Sequence, residues 1–353
     1  MTKMLNSDQE QNVASGGVAV QAKGDITITA GLSYSDARTV ALDVFNANFY
    51  KLADSAARLA VARAEEVTDK FLSKLQSEAP ARLAEAQDPD FQYALLTVQK
   101  EYARTGDKDL GDLLVDLLVD RSKHEKREIL QIVLNEALST APKLTENQLA
   151  ALALNFLFKY TQNYAIGNHD QLGVYLDKHA SPFASKVVTN QACYQHLEFC
   201  GCGSISLAGM SLEALLGKTY QGLFLKGFYR SEVANRAISI GLDPKFFIQC
   251  LNEPSKLQVN AVNQEQLNRH FEAASISTED RAKITVLFNA EKMSDAEIKE
   301  KCTLIRPYMS GLFESWSASP LQNLTLTSVG IAIGHANIKR YVGEFANLSI
   351  WIN

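Results

Sequence analysis

The chain has 353 residues, 46% of them hydrophobic, enough for a real core spread over two or three modest domains or over one large helical body with an appended piece. A formal net charge of −5 argues against a constitutive nucleic-acid coat, which needs a basic surface, while leaving room for a local basic patch. The five cysteines, Cys193, Cys200, Cys202, Cys250 and Cys302, are odd in number and irregularly spaced, so they do not read as a disulfide framework and fit reduced thiols in a cytoplasmic protein. The polar start has no apolar signal core, and no apolar run is long enough for a membrane span. Without a secretion signal, Asn323-Leu324-Thr325 and Asn347-Leu348-Ser349 are chance matches to the glycosylation pattern.

Residues 1–22 are rich in Gln, Ser, Gly and Asn and are expected to form a disordered tail. In residues 23–31, Ile26 and Ile28 alternate with Thr27 and Thr29 between Gly24 and Gly31, which predicts a short strand. A lone strand needs a partner, either elsewhere in this chain or in another copy.

Residues 32–86 are expected to form one long helix, capped by Ser33 or Ser35. Leu42, Phe45, Phe49, Leu52, Ala56 and Leu59 are spaced three and four apart, a heptad seam. Arg63, Val67, Phe71 and Leu75 continue it at intervals of four, so the seam drifts around the helix. A rod of about 65–70 Å at 1.5 Å per residue either packs along a long helical body or pairs with another subunit.

Residues 88–290 read as a helical body. Asp88-Pro89 is a start signal, with Phe91, Leu95, Val98 and Tyr102 as the apolar face. Asp107 opens the next helical stretch, running with at most one break to Ser139. Thr145-Glu146-Asn147-Gln148 is a capping box ahead of a helix from Leu149 to Tyr160 that is apolar nearly all round and therefore central. Shorter helices separated by Gly and Pro fill residues 168–260, and one or two more occupy residues 263–287.

Residues 294–353 change character: a helix capped by Ser294, a second over residues 307–317, a strand at residues 324–327, a helix over residues 329–341, and alternation at Leu348, Ile350 and Ile352. This order is compatible with a winged-helix-like α+β module. The predicted fold class is mainly α, a multi-helix body with a long N-terminal helix and that small C-terminal element.

No catalytic motif is complete. Gly217-Lys218-Thr219 ends like a phosphate loop, but Leu212 stands where the loop needs its first glycine. Gly201-Cys202-Gly203 lacks the third glycine of a dinucleotide fingerprint, and no Gly-x-Ser-x-Gly elbow occurs. His124-Glu125 begins like a zinc-protease motif, with Glu128 in place of the second histidine. Cys193, His196, Cys200 and Cys202, with His169 and His179 upstream, are the right residue types for zinc at spacings that match no common knuckle. Buried apolar thiols are the ordinary alternative.

Asp112, Asp116 and Asp120 recur every four residues and form an acidic stripe on one helix face. A two-metal site is the sharp expectation, and a solvated edge or pairing with Arg104 or Arg127 the ordinary one. Arg121, Lys123, Lys126 and Arg127, mixed with His124, Glu125 and Glu128, read as a salt-bridged surface. His335 reads as a hydrogen-bonded core histidine. Tyr220 to Phe228, with two glycines among aromatics, reads as a tightly packed turn region in which the Lys226 stem lies over apolar surface. No catalytic, metal or cofactor residue is assigned, and no cofactor is expected.

Three blocks carry a resemblance over nearly the whole chain. They are Gly24-Asp25-Ile26-Thr27-Ile28 with Gly31-Leu32-Ser33-Tyr34-Ser35 and Asp43-Val44-Phe45; Leu118-Val119-Asp120-Arg121 with Gln131-Ile132-Val133-Leu134-Asn135-Glu136; and Leu326-Thr327-Ser328-Val329-Gly330-Ile331-Ala332-Ile333 with Leu348-Ser349-Ile350-Trp351-Ile352. In this order they resemble an uncharacterised bacterial protein family of about this length. The resemblance implies a bacterial cytosolic protein in the setting of phage defence and transfers no catalytic residue. The leading expectation is a non-enzymatic interaction protein that assembles with a protein partner or a second copy through the long helix and its preceding strand, with no membrane contact. The alternatives are a nucleic-acid-responsive regulator that touches phosphate with Lys339 and Arg340, and a metal-dependent enzyme.

Overall fold

The computed structural model describes residues 33–48, 54–124 and 127–352, and the tail and strand expected over residues 1–31 lie outside them. The chain is mainly α, as its apolar periodicity dictates. Among the described residues the first two helices are α1 (Tyr34–Asn48) and α2 (Asp54–Glu78), followed by a 3₁₀ stretch at Pro80–Gln87. The single long helix expected over residues 32–86 is therefore two helices. They run antiparallel: Arg38 near the start of α1 meets Asp69 in the second half of α2 at 2.6 Å, and Phe45 near the end of α1 packs with Ala60 and Ala64. The drift of the seam has its cause here. The inward face of α2 is Ala60, Ala64, Val67, Phe71 and Leu75, while Ala56 and Leu59 of the expected seam are exposed. Phe49 and Leu52 lie outside the described residues.

The body begins with α3 (Pro89–Thr105), α4 (Lys108–Ser122), α5 (Ile129–Thr140) and α6 (Glu146–Tyr160). Local chemistry sets their starts. Asp88 Oδ1 accepts from the backbone N–H of Asp90 at 3.0 Å, with Pro89 needing no partner at the first helical position. Thr145 and Gln148 close a reciprocal capping box on α6. α3 covers the α1–α2 hairpin with Leu96 and Ala103.

Next come α7 (His169–His179), α8 (Ser181–Ala184), α9 (Gln191–Phe199), β1 (Gly203–Ile205) and α10 (Leu212–Thr219). Residues 225–288 then build a separate small core from α11 (Ser231–Asn235), the hairpin β2 (Phe247–Gln249) and β3 (Leu257–Val259), α12 (Gln264–Ala273) and α13 (Thr278–Ala290). In that hairpin Phe247 faces Val259 and Gln249 faces Leu257. The chain returns to the main core through α14 (Asp295–Ile305), α15 (Met309–Ser317), β4 (Leu324–Leu326) and α16 (Ser328–Val342).

Residues 294–353 are not a self-contained winged module. β4 pairs antiparallel with β1, Ser204 opposite Thr325, so its partner strand lies far upstream. Leu348–Ile350 is a 3₁₀ turn and not a strand. α16 is the centre of the main core, packed on α6 with α4, α5 and α7 around it. Gly330 permits this, because a Cβ there would sit 1.9 Å from the Cys202 carbonyl oxygen. The outer edge of β4 is closed by α6: Leu324 O accepts from Asn155 Nδ2 at 3.0 Å and Lys159 Nζ at 2.8 Å, and Leu326 N donates to Tyr160 Oη at 2.8 Å. Burial pulls the Lys159 amine down to about 8.

Candidate functional site: a charged furrow between the N-terminal hairpin and the last helix

The acidic stripe finds its partners on two other helices. Asp112, Asp116 and Asp120 share one face of α4 because they are four residues apart. α2 lays a second stripe of the same period against it: Glu66, Lys70, Lys74 and Glu78. Lys70 Nζ lies 2.9 Å from Asp112, and Lys74 pairs with Asp116. Asp120 is held by Lys123 at 2.8 Å and by Lys339 of α16 at 2.9 Å, and Lys123 also reaches Glu78 at 2.6 Å. The stripe is thus paired, though not with Arg104 or Arg127. Arg104 pairs with Glu101 on its own helix, and Arg127 offers its backbone N–H to Gln131.

The three helices enclose an open furrow of about 870 Å³. Its walls carry the carboxylates of Glu66, Asp69, Asp112 and Asp116, the cations of Lys70, Lys74, Lys339 and Arg340, and the hydroxyl of Ser73. Burial pushes the Asp116 carboxyl above its ordinary pKa, against the pull of Lys74. Burial alone would do the same to Asp120, but the charges and hydrogen bonds of Lys339 and Lys123 outweigh it and hold this carboxyl below its usual value. Glu78 is lowered in the same way, burial being overcome by Lys123, Lys339 and Lys74. Among the described residues the furrow is lined by groups that form ion pairs and hydrogen bonds.

The other residues singled out in the sequence go elsewhere. Cys193 and His196 lie on α9 and Cys200 caps its end, whereas Cys202 is buried, its thiol pushed up to about 12 by burial. His169 and His179 are tied to the carbonyls of Leu223 and Tyr175, each at 2.9 Å. Among the described residues, no group of three or more His, Cys, Asp or Glu side chains is placed to hold a metal ion. Gly217, Lys218 and Thr219 end helix α10 instead of opening one, so they form no phosphate cradle. His335 donates from Nε2 to the Ala346 carbonyl at 2.6 Å within a cage of Phe156, Phe345 and Trp351 rings. Lys339 and Arg340, the expected phosphate contacts, are engaged by Asp120 and by the Asp109 carbonyl. Arg121 bonds Asp90 and Asn135, and His124 lies 3.5 Å from Glu128, while Lys126 lies outside the described residues.

The members that sequence reading missed are Glu66, Lys70, Lys74 and Glu78. Their signal was present: a run of charges at intervals of four whose period matches the aspartate stripe.

No helix among the described residues is long and apolar enough to cross a membrane. No curated protein and no solved structure matches this chain. A protein-family model matches residues 31–352, and the chain therefore belongs to that family, an uncharacterised one with no established activity.

Proposed function

We propose that the protein is a non-enzymatic interaction protein that receives a mixed-charge segment of a protein partner in the furrow between α2, α4 and α16. The observation that carries this reading is the furrow itself: about 870 Å³, open, with four carboxylates and four cations on its walls. Charge of both signs at fixed spacing supports selection of a complementary pattern and rejection of like charge.

The pairs also differ in how easily they exchange. Lys70–Asp112 has both side chains 40% or more exposed, so its internal bond contributes at most about 1 kcal/mol and a partner's charges displace it at little cost. Asp116 is only 4% exposed, which makes Lys74–Asp116 a fixed anchor. Less weight falls on self-assembly through the N-terminal rod, because α1 and α2 pack on each other and on α3.

The test is site-specific photo-crosslinking in extracts of the source cell, with a benzophenone side chain at Ser73 on the furrow wall and, as control, at exposed Glu279. A discrete adduct from Ser73 alone, weakening as salt rises from about 0.05 to about 0.5 M, is the expected result. Adducts from both positions alike, or none from Ser73, overturn the reading.

A further inference from the structure

The chain leaves α16 at Gly343, whose φ of +84° turns the backbone off the helix, with open space where a Cβ would stand. Residues 344–352 then run back over the main core as a strap. Leu348 and Ile352 are buried, Phe345 and Trp351 are partly buried, and the residues between Phe345, Leu348 and Trp351 are exposed. The strap's own backbone forms a short 3₁₀ turn at Leu348–Ile350. Two bonds tie it to the helices beneath: His335 Nε2 donates to the Ala346 carbonyl at 2.6 Å, and Trp351 Nε1 donates to the Tyr160 carbonyl at 2.7 Å.

His335 is the member of this contact that can change charge. A carbonyl oxygen accepts and cannot donate, so Nε2 carries the ring proton and Nδ1 the lone pair. Nδ1 is buried and, among the described residues, has no hydrogen-bond partner. The imidazole is 2% exposed, with the Phe156, Phe345 and Trp351 rings 5.9, 5.4 and 5.7 Å away between centroids. A second proton would sit on Nδ1 in a cage that offers it no acceptor. Burial lowers the His335 pKa against the Ala346 bond and the Asp120 charge of α4, which raise it, while Lys339 and Lys123 add to the lowering. From α7, His179 lies 6.1 Å from the Phe345 ring, and burial lowers its pKa as well. From α6 the neighbours are Phe156 and Tyr160, whose hydroxyl is bound to the Leu326 N–H. On the strap Glu344 is the one carboxylate, and it is exposed.

We propose that residues 344–352 are a strap that opens on mild acidification, with His335 as the group that senses pH. Two of the three caging rings and the Ala346 acceptor belong to the strap, so lifting it brings water to the imidazole while α6 and α16 stay packed. The closed strap holds His335 neutral, and the open one lets it take a proton near its ordinary pKa of about 6.5. Because the closed-state pKa is the lower one, closure is fully favoured above about pH 6.5 and is lost progressively as pH falls below it. Opening uncovers the aromatic floor of Phe156 and His335.

The experiment measures hydrogen exchange of the intact protein by mass spectrometry at about pH 7.5 and about pH 5.0, with rates corrected for the intrinsic effect of pH. Protection over residues 344–352 is expected to fall about tenfold on acidification while α6 keeps its own. His335→Gln, whose amide can donate to the Ala346 carbonyl without titrating, should show equal strap protection at both pH values. No fall in the native protein, a fall of the same size across α6, or a fall that survives in folded His335→Gln overturns the proposal. Should His335→Gln not fold, His179→Gln decides: a fall confined to residues 344–352 that persists there supports His335 as the sensor, and one abolished there overturns it.

Discussion

Asp116 is the least exposed carboxylate of the furrow, and its pKa is raised even with Lys74 against it. Lys74→Met leaves that charge buried and unpaired, so the fold should lose about 3 kcal/mol at neutral pH. The sign of the pH dependence follows from the raised value. A carboxyl that holds its proton more firmly folded than unfolded weakens the fold at high pH and ceases to do so as pH falls through the folded pKa toward the unfolded one. Denaturant unfolding of Lys74→Met should therefore show a larger deficit at about pH 7.5 than at about pH 4.5. Lys70→Met, which opens an exposed pair, should cost less than about 1 kcal/mol at either pH. An equal loss in the two variants would mean that burial of Asp116 is not what makes Lys74 matter.

At the scale of elements, close approach decides where α16 sits. Gly330 lies where a Cβ would meet the Cys202 carbonyl oxygen at 1.9 Å, and Gly334 where one would meet the Leu152 carbonyl oxygen at 2.8 Å. Alanine is the better helix former by about 1 kcal/mol, yet Gly330→Ala should destabilise the protein by about 3 kcal/mol, because backbone atoms cannot step aside as a side chain can. Gly311 on α15 is the matched control. A Cβ there meets nothing, so Gly311→Ala should stabilise by about 0.5–1 kcal/mol. Thermal melts of the two variants should shift in opposite directions.

Across the whole molecule the described residues form two main apolar bodies that also meet through polar bonds, among them Gly222 N–H to the Val262 carbonyl and Gln221 Nε2 to the Phe288 carbonyl, each at 2.8 Å. Phe228, Phe246, Phe271 and Phe288 belong to the small core, and Trp316, Phe156 and α16 to the large one. The two chain crossings run side by side, where Leu225 bridges Lys292 and Met293 N donates to Phe224 O at 2.9 Å. A core with its own set of buried apolar residues is expected to open as its own cooperative unit. Phe288→Ala, worth about 3–5 kcal/mol of packing, should lower hydrogen-exchange protection through residues 225–290 and leave α6 and α16 at their original values. A uniform loss across both cores would show that they unfold together.

What the sequence determined by itself was local. The Asp88-Pro89 start, the Thr145–Gln148 and Ser294–Glu297 capping boxes and the all-round apolar helix over residues 149–160 needed only neighbours three or four positions apart. The four-residue period of Asp112, Asp116 and Asp120 was equally legible. Tertiary structure decided everything that depended on distant segments meeting. It folded α1 back on α2, which the drifting seam signalled without locating. It paired β4 with β1 and set Lys70, Lys74 and Lys339 against the aspartates. The physical reason is common to all of these. Helix periodicity fixes which face a residue occupies, but which foreign face covers it depends on long-range packing that no local spacing encodes.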